Sequence, residues 1–240
     1  MVCLLKPGFY AVNSAWVARI PPAHPLLQLL LVSESAVMSP FRIAFAVALL
    51  AISVVAPSRA TAADLERARK IVAGRCFLCH GMNGESSSEV FPRLATQNAN
   101  YLAKQLKDFQ TGRRKGTTMN SMVTGLTEAE MADLGAFFAA QKADPHPPAD
   151  AELGAVGRYL YARGNPHSGV AACAGCHGPD AHGTETLPRL AGQQSLYIEG
   201  QLKAFDKRER NNDNEVMHSI ASKLTELEIK ALAEFLAAAP

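Results

Sequence analysis

Cys76-Phe77-Leu78-Cys79-His80-Gly81 recurs ninety-seven residues later as Cys173-Ala174-Gly175-Cys176-His177-Gly178, and this pair of hexapeptides decides how the 240-residue chain is read. The likeness extends outward from both copies. Pro92-Arg93-Leu94-Ala95 returns as Pro188-Arg189-Leu190-Ala191, and Tyr101, Gln105, Leu106 and Phe109 return as Tyr197, Gln201, Leu202 and Phe205, all at an offset of ninety-six. Met119, Leu126-Thr127 and Phe137 return as Met217, Leu224-Thr225 and Phe235 at ninety-eight. A drift of one residue either way is what short loop insertions produce, so the chain holds two homologous units.

Each unit reads as helical. Tyr101, Leu102, Gln105, Leu106 and Phe109 share one face at helical spacing, as do Tyr197, Ile198, Gln201, Leu202 and Phe205. Thr127 with Glu130 and Thr225 with Glu228 form capping boxes that open the last helix of each unit. Along those helices Met131, Leu134, Phe137 and Phe138 match Ile229, Leu232, Phe235 and Leu236 as an apolar stripe. No segment alternates with period two for long enough to build a sheet. The expected fold is all-α, two tandem helical units, with residues 64–75 running helically into Cys76 and a longer loop before Cys173. Units of this size have little core for their surface and need a staple such as a prosthetic group.

The motif supplies one. In C-x-x-C-H two thiols can add across the vinyl groups of haem while the adjacent histidine lies below the iron, the c-type attachment signature. A zinc ribbon would need all four thiolates on one metal, whereas each pair here sits within its own copy of the unit and is followed by His. A thioredoxin-like motif would want a βαβ setting, and two disulfides would leave the repeated His unexplained. The cofactors expected are two covalently bound haem c, attached at Cys76, Cys79, Cys173 and Cys176, with His80 and His177 as proximal iron ligands. Met119 and Met217 hold equivalent positions before the last helices and are the economical distal ligands, being soft neutral donors. Met122 is matched by Ile220, and His218 beside Met217 by Asn120, so neither competitor survives the repeat.

Other residues carry weaker expectations. Pro92 and Pro188 can offer a carbonyl to the free ring nitrogen of the proximal histidine. Arg93 and Arg189 suit a haem propionate or an exposed surface. Met82 reads as packing, His146, His167 and His182 as solvated loop residues, and Arg113-Arg114-Lys115 as a solvated run.

The amino-terminal part stands apart. Met38 to Ala62 has a basic start, a fourteen-residue stretch from Ile43 to Ala56 that is apolar but for Ser53, and a small-residue Ala60-Thr61-Ala62 end, the pattern of a cleaved secretory signal. Fourteen residues rise only about 21 Å, short of a hydrocarbon core of about 30 Å. Residues 1–37 show no periodic pattern and read as an extension or as sequence upstream of a start at Met38. The expected organisation is thus 1–37, a leader over 38–62, a first domain over 63–144, a proline-rich linker over 145–150 and a second domain over 151–240. Export places the protein in the periplasm.

With these residues together, the chain resembles the cytochrome c4 family, periplasmic dihaem cytochromes of two class I cytochrome c domains. The resemblance covers residues 63–240 and rests on Cys76-x-x-Cys79-His80, Cys173-x-x-Cys176-His177, the Pro-x-Leu-Ala segments, the Tyr-x-x-x-Gln-Leu-x-x-Phe helices, and Met119 and Met217. It implies two haems near each other across a domain interface in a soluble or loosely membrane-associated carrier. The implied partners are redox proteins, a quinol-oxidising complex or other donor and a terminal oxidase or other acceptor. Thr96 departs from the family where Gly192 keeps the expected glycine. A near-neutral formal charge of +2 argues against nucleic acid as partner. The rival readings are a cytochrome subunit of a dehydrogenase or oxidase complex and a dihaem peroxidase, which would need one open iron; paired methionines argue against the latter, so the chain reads as a carrier and not an enzyme. Residues 63–144 hold eleven basic and nine acidic side chains and residues 145–240 nine and twelve, so the units stand at +2 and −3. Such a dipole would orient encounter with partners.

Overall fold

Four carboxylate or hydroxyl caps set where four of the helices begin. In the computed structural model, which describes residues 62–143 and 150–240, Asp64 accepts from the Arg67 N–H to open α1 (Leu65–Ile71). Asp150 accepts from the Leu153 N–H to open α6 (Ala151–Arg163). The two expected capping boxes are both present: Thr127 and Glu130 open α5 (Glu128–Ala139), and Thr225 and Glu228 open α10 (Glu226–Ala238). Between them lie α2 (Phe77–His80), α3 (Ala99–Gln110) and α4 (Met119–Met122) in the first half. The second half has α7 (Ala174–His177), α8 (Ser195–Asp206) and α9 (Val216–Ala221). Among the described residues the fold is all-helical, the only β contact being an isolated bridge between Asn165 and Val170. The expected 1–37 extension, the leader up to Thr61 and residues 144–149 of the linker region lie outside the described residues.

The two halves repeat one plan and differ upstream of the cysteines. In the first, α1 passes through one π-helical turn, Val72–Cys76, straight into α2. In the second, α6 stops at Gly164, whose φ of +67° and whose approach to the Val170 carbonyl leave no room for a Cβ. The chain then makes the Asn165–Val170 bridge before Cys173 caps α7. This is the long loop that the sequence indicated.

Packing in each half follows the apolar stripes. Leu102 and Phe109 of α3 meet Met131, Leu134, Phe137 and Phe138 of α5, with Ala68 and Val72 of the first helical run closing the cluster. Asp133 of α5 ties down the start of α1, accepting from the Asp64 N–H at 2.9 Å and from Arg67 Nε at 2.6 Å. In the second half Leu160 and Tyr161 of α6 pack with Ile198 of α8 and with Ala231, Leu232 and Leu236 of α10. Gly157 lets α6 and α10 touch backbone to backbone: a Cβ there would lie 1.8 Å from the Ala231 carbonyl oxygen. Thr96, at the departure from the family pattern, holds the left-handed conformation (φ 61°) that Gly192 adopts in the other half (φ 72°). A non-glycine residue there costs on the order of 1 kcal/mol.

Candidate functional site

His80 and His177 each end a single helical turn that begins at or beside a cysteine. Gly81 and Gly178 follow with φ of +73° and +81°, a conformation that costs glycine nothing and reverses the chain. The reversal brings a proline back over the imidazole. Leu94 and Ala95 donate to the Gly84 carbonyl at 2.7 and 3.1 Å, and Leu190 and Ala191 donate to the Ala181 carbonyl at 2.7 and 3.1 Å. The Pro92 carbonyl thereby reaches His80 Nδ1 at 3.0 Å and the Pro188 carbonyl reaches His177 Nδ1 at 3.3 Å. A carbonyl only accepts, so Nδ1 carries the proton and Nε2 keeps its lone pair for a metal. Both rings are buried, and burial, opposed by the proline carbonyl, holds them below the ordinary histidine value and therefore neutral at pH 7. The contact expected of Pro92 and Pro188 is thus formed in both halves.

None of Cys76, Cys79, Cys173 and Cys176 is in a disulfide. Burial raises Cys76 above the ordinary thiol value and pushes Cys173 up to about 11, so the unattached chain keeps both protonated at neutral pH. Among the described residues no three His, Cys, Asp or Glu side chains gather where the protein alone could hold a metal. The donors on offer are instead one neutral imidazole with two thiols in each half, the set a covalently attached metalloporphyrin requires.

Met119 starts α4 and packs against the first-half core, and Met217 occupies the second position of α9, half-buried. The residue after each methionine secures the approach loop. Asn120 donates through Nδ2 to the Phe109 carbonyl at 2.5 Å, and His218 Nδ1 meets the Phe205 carbonyl at 3.0 Å. Asn120 and His218 are therefore equivalents, each holding the end of the preceding long helix. Met122 lies exposed, as does Met82, which the sequence suggested would be packed.

The halves meet through polar residues that sequence reasoning placed elsewhere. Arg114, expected in a solvated run, is buried: it stacks on Phe109 of its own half and donates to Gln105 at 2.9 Å, Tyr197 Oη at 2.8 Å and Gln201 at 2.8 Å. Arg210 mirrors it, stacking on Phe205 and donating to Tyr101 Oη at 2.8 Å, Gln201 at 2.8 Å, Gln105 at 3.2 Å and Asn212 at 3.1 Å. Burial pushes the Tyr197 hydroxyl up, but the two guanidinium charges outweigh it and hold the group below the ordinary tyrosine value. Both arginines are hydrogen-bonded to neutral side-chain oxygens of Gln, Tyr and Asn.

Arg93 is buried rather than surface-exposed, its Nη1 donating to the Gly192 carbonyl at 2.7 Å in the other half. Arg189 folds back on its own half, Nε donating to the Ala191 carbonyl at 3.2 Å. His182 Nε2 meets the Pro240 carbonyl at 3.0 Å, away from both proximal histidines in hydrogen bonding.

The cytochrome c family pattern matches this chain twice, over residues 65–142 and 161–240. The chain is 41% identical over 167 residues to cytochrome c4 of Thiocapsa roseopersicina, an alignment covering 68% of this chain and 86% of that one. The chain belongs to the cytochrome c4 family. The crystal structure of reduced recombinant cytochrome c4 from Pseudomonas stutzeri superposes with a TM-score of 0.70 at 34% identity, over 75% of this chain and 100% of that chain. A thiosulfate dehydrogenase electron acceptor of Thiomonas intermedia is 36% identical, over 70% of this chain and 80% of that one. This cytochrome c4 homologue is a dihaem electron-transfer protein with two covalently attached haem c groups, and the four cysteines, none of them in a disulfide, and the carbonyl-anchored histidines fit them.

Proposed function

We propose that this chain is an exported carrier of single electrons, with one haem c in each half. Cys76 and Cys79 hold the first, with His80 and Met119 on its iron; Cys173 and Cys176 hold the second, with His177 and Met217. The domains run over 63–144 and 151–240, joined by the proline segment 145–150. The observation that carries this reading is the Nδ1 contact of each histidine to a proline carbonyl, which fixes the ring and its tautomer and leaves Nε2 as donor. Once bound, haem supplies the one-electron chemistry. The chain's own residues attach the ring, orient the imidazole, exclude water through the two helical cores and present the thioether. Asn120 and His218, anchored to helix ends, keep Met119 and Met217 in equivalent places and leave the thioethers as the donors favoured by the repeat.

With His80 and Met119, and His177 and Met217, as ligands, neither iron would be open to peroxide, which supports a carrier over an enzyme. No described helix is long and apolar enough to cross a membrane, and the leader at 38–62 supports a periplasmic location. Electrons would enter from a quinol-oxidising complex or other donor and leave to a terminal oxidase or other acceptor. The likeness to a thiosulfate dehydrogenase electron acceptor supports a second reading, in which a dehydrogenase is the fixed donor.

The test is spectroscopic. The oxidised holoprotein should show the weak far-red methionine-to-iron band at an intensity for two haems. Met119→Ala and Met217→Ala should each remove half of it and Met122→Ala none. Loss of the band in Met122→Ala, or appreciable peroxide turnover by the wild type, would overturn the assignment.

A further inference from the structure

One peptide plane in each half lies between the proximal histidine of that half and a glutamine of the other. The Pro92 carbonyl that receives His80 Nδ1–H belongs to the same amide as the Arg93 N–H. That N–H donates to Gln193 Oε1 at 2.7 Å, and Gln193 Nε2 donates back to the Arg93 carbonyl at 2.9 Å. The mirror arrangement is also built. The Pro188 carbonyl receives His177, the Arg189 N–H of that amide donates to Gln97 Oε1 at 2.8 Å, and Gln97 Nε2 donates to the Arg189 carbonyl at 2.8 Å. Gln97 and Gln193 are both buried, and their Oε1 atoms also accept from the N–H of Asn98 and Gln194, which fixes the amide orientation.

We propose that Gln193 and Gln97 are crossed positioning residues: each half tunes the proximal histidine, and through it the haem potential, of the other half. The physical basis is the planarity of the peptide unit, which keeps its N–H and C=O rigidly opposed. Accepting from the N–H polarises the amide and makes its carbonyl a stronger acceptor, the cooperative effect of a hydrogen-bond chain. A stronger acceptor on Nδ1–H gives the imidazole more electron density, which favours ferric iron and lowers the potential. The chain His80–Pro92/Arg93–Gln193 has the shorter bonds, 3.0 and 2.7 Å against 3.3 and 2.8 Å, so the larger influence falls on the first haem.

The inference rests on the proposed function through His80 and His177 as iron ligands, and its test separates the two. Holoprotein carrying Gln193→Met keeps the side-chain volume and loses the amide. Its first-half haem should titrate at a higher potential, and His80 Nδ1–H, followed by NMR, should exchange with solvent faster, by less than the roughly 5- to 10-fold expected if the bond to the Pro92 carbonyl were lost outright, because that bond is weakened and not removed. The second-half haem should not move. Gln97→Met should do the reverse. Gln193→Glu keeps an oxygen on the Arg93 N–H, loses the donor to the Arg93 carbonyl and adds a negative charge; the retained acceptor and the charge both act to hold the first-half potential at or below that of the wild type. Should a Met variant fail to mature, the Glu variants carry the comparison, and a raised potential in the opposite half would overturn the proposal. For the Met variants, shifts in the variant's own half alone, equal shifts in both, or none would also overturn it. A wild type without two haems bearing histidine Nδ1–H signals would instead refute the functional reading.

Discussion

Replacing Arg114 by methionine tests whether the crossed arginines hold the two halves together. The guanidinium makes three hydrogen bonds, to Gln105 at 2.9 Å, Tyr197 Oη at 2.8 Å and Gln201 at 2.8 Å. Charged hydrogen bonds contribute roughly 1.5–3 kcal/mol each, so a simple sum would exceed 4 kcal/mol. That sum is too large. Arg210 also donates to both glutamines and its charge stays beside Tyr197, so Gln105 and Gln201 keep a donor and the main loss is the bond from Arg114 to Tyr197 Oη. Removing a buried cation also relieves its desolvation, and methionine retains contact with Phe109. The expected cost is about 2–3 kcal/mol, with Tyr197→Phe costing about 1 kcal/mol. Because both substitutions remove the same interaction across the interface, the double variant should fall short of their sum by about 1 kcal/mol. Denaturant unfolding of the holoprotein measures all three differences. A cost for Arg114→Met below about 0.5 kcal/mol, or strict additivity with Tyr197→Phe, would refute the view that this buried pair joins the halves.

Gly157→Ala should destabilise the second half by about 2–4 kcal/mol, because its Cβ would fall 1.8 Å from the Ala231 carbonyl oxygen and α6 and α10 would have to separate. Gly154→Ala, on the same helix with nothing nearer than 4.0 Å, should instead gain about 1 kcal/mol of helix propensity; thermal unfolding of the pair distinguishes packing from propensity. Acid should weaken the protein through its capping boxes. Backbone hydrogen bonds at Thr127 and Thr225 hold Glu130 and Glu228 below the ordinary glutamate value of 4.5, so their contribution is present above that pH and is lost as pH falls through the depressed values. The double variant Glu130→Gln/Glu228→Gln should show a flatter loss of stability below pH 4.5 than the wild type; equal slopes in that window would remove the capping boxes from the acid response.

Local chemistry was legible in the sequence wherever it was carried by neighbours along the chain. Cys76-x-x-Cys79-His80 and Cys173-x-x-Cys176-His177 name their cofactor because thiol attachment and proximal ligation come from one helical turn. Thr127 with Glu130 and Thr225 with Glu228 cap their helices because a capping box needs only three residues of separation. The repeat also brought Pro92 and Pro188 forward as partners for the histidines. Arg114 looked like one more cation of a solvated run, and Gln105 and Tyr101 looked like members of an apolar helix face. Only the fold showed that these residues look across to the other half. Arg114, Arg210, Gln97 and Gln193 all recur at an offset of ninety-six, the one signal in the sequence that could have set them apart.

The amino-acid sequence by itself determined two helical units, each with its haem-attachment turn and candidate ligands, because those features depend on residues a few positions apart. Which units face which, and through what, depends on contacts spanning 83 to 109 residues, such as Arg114 to Tyr197 and Arg210 to Tyr101. No local pattern encodes a bond of that length. The tertiary structure alone placed a glutamine of one half on the peptide that anchors the other half's histidine, since that placement exists only when the two folded surfaces meet.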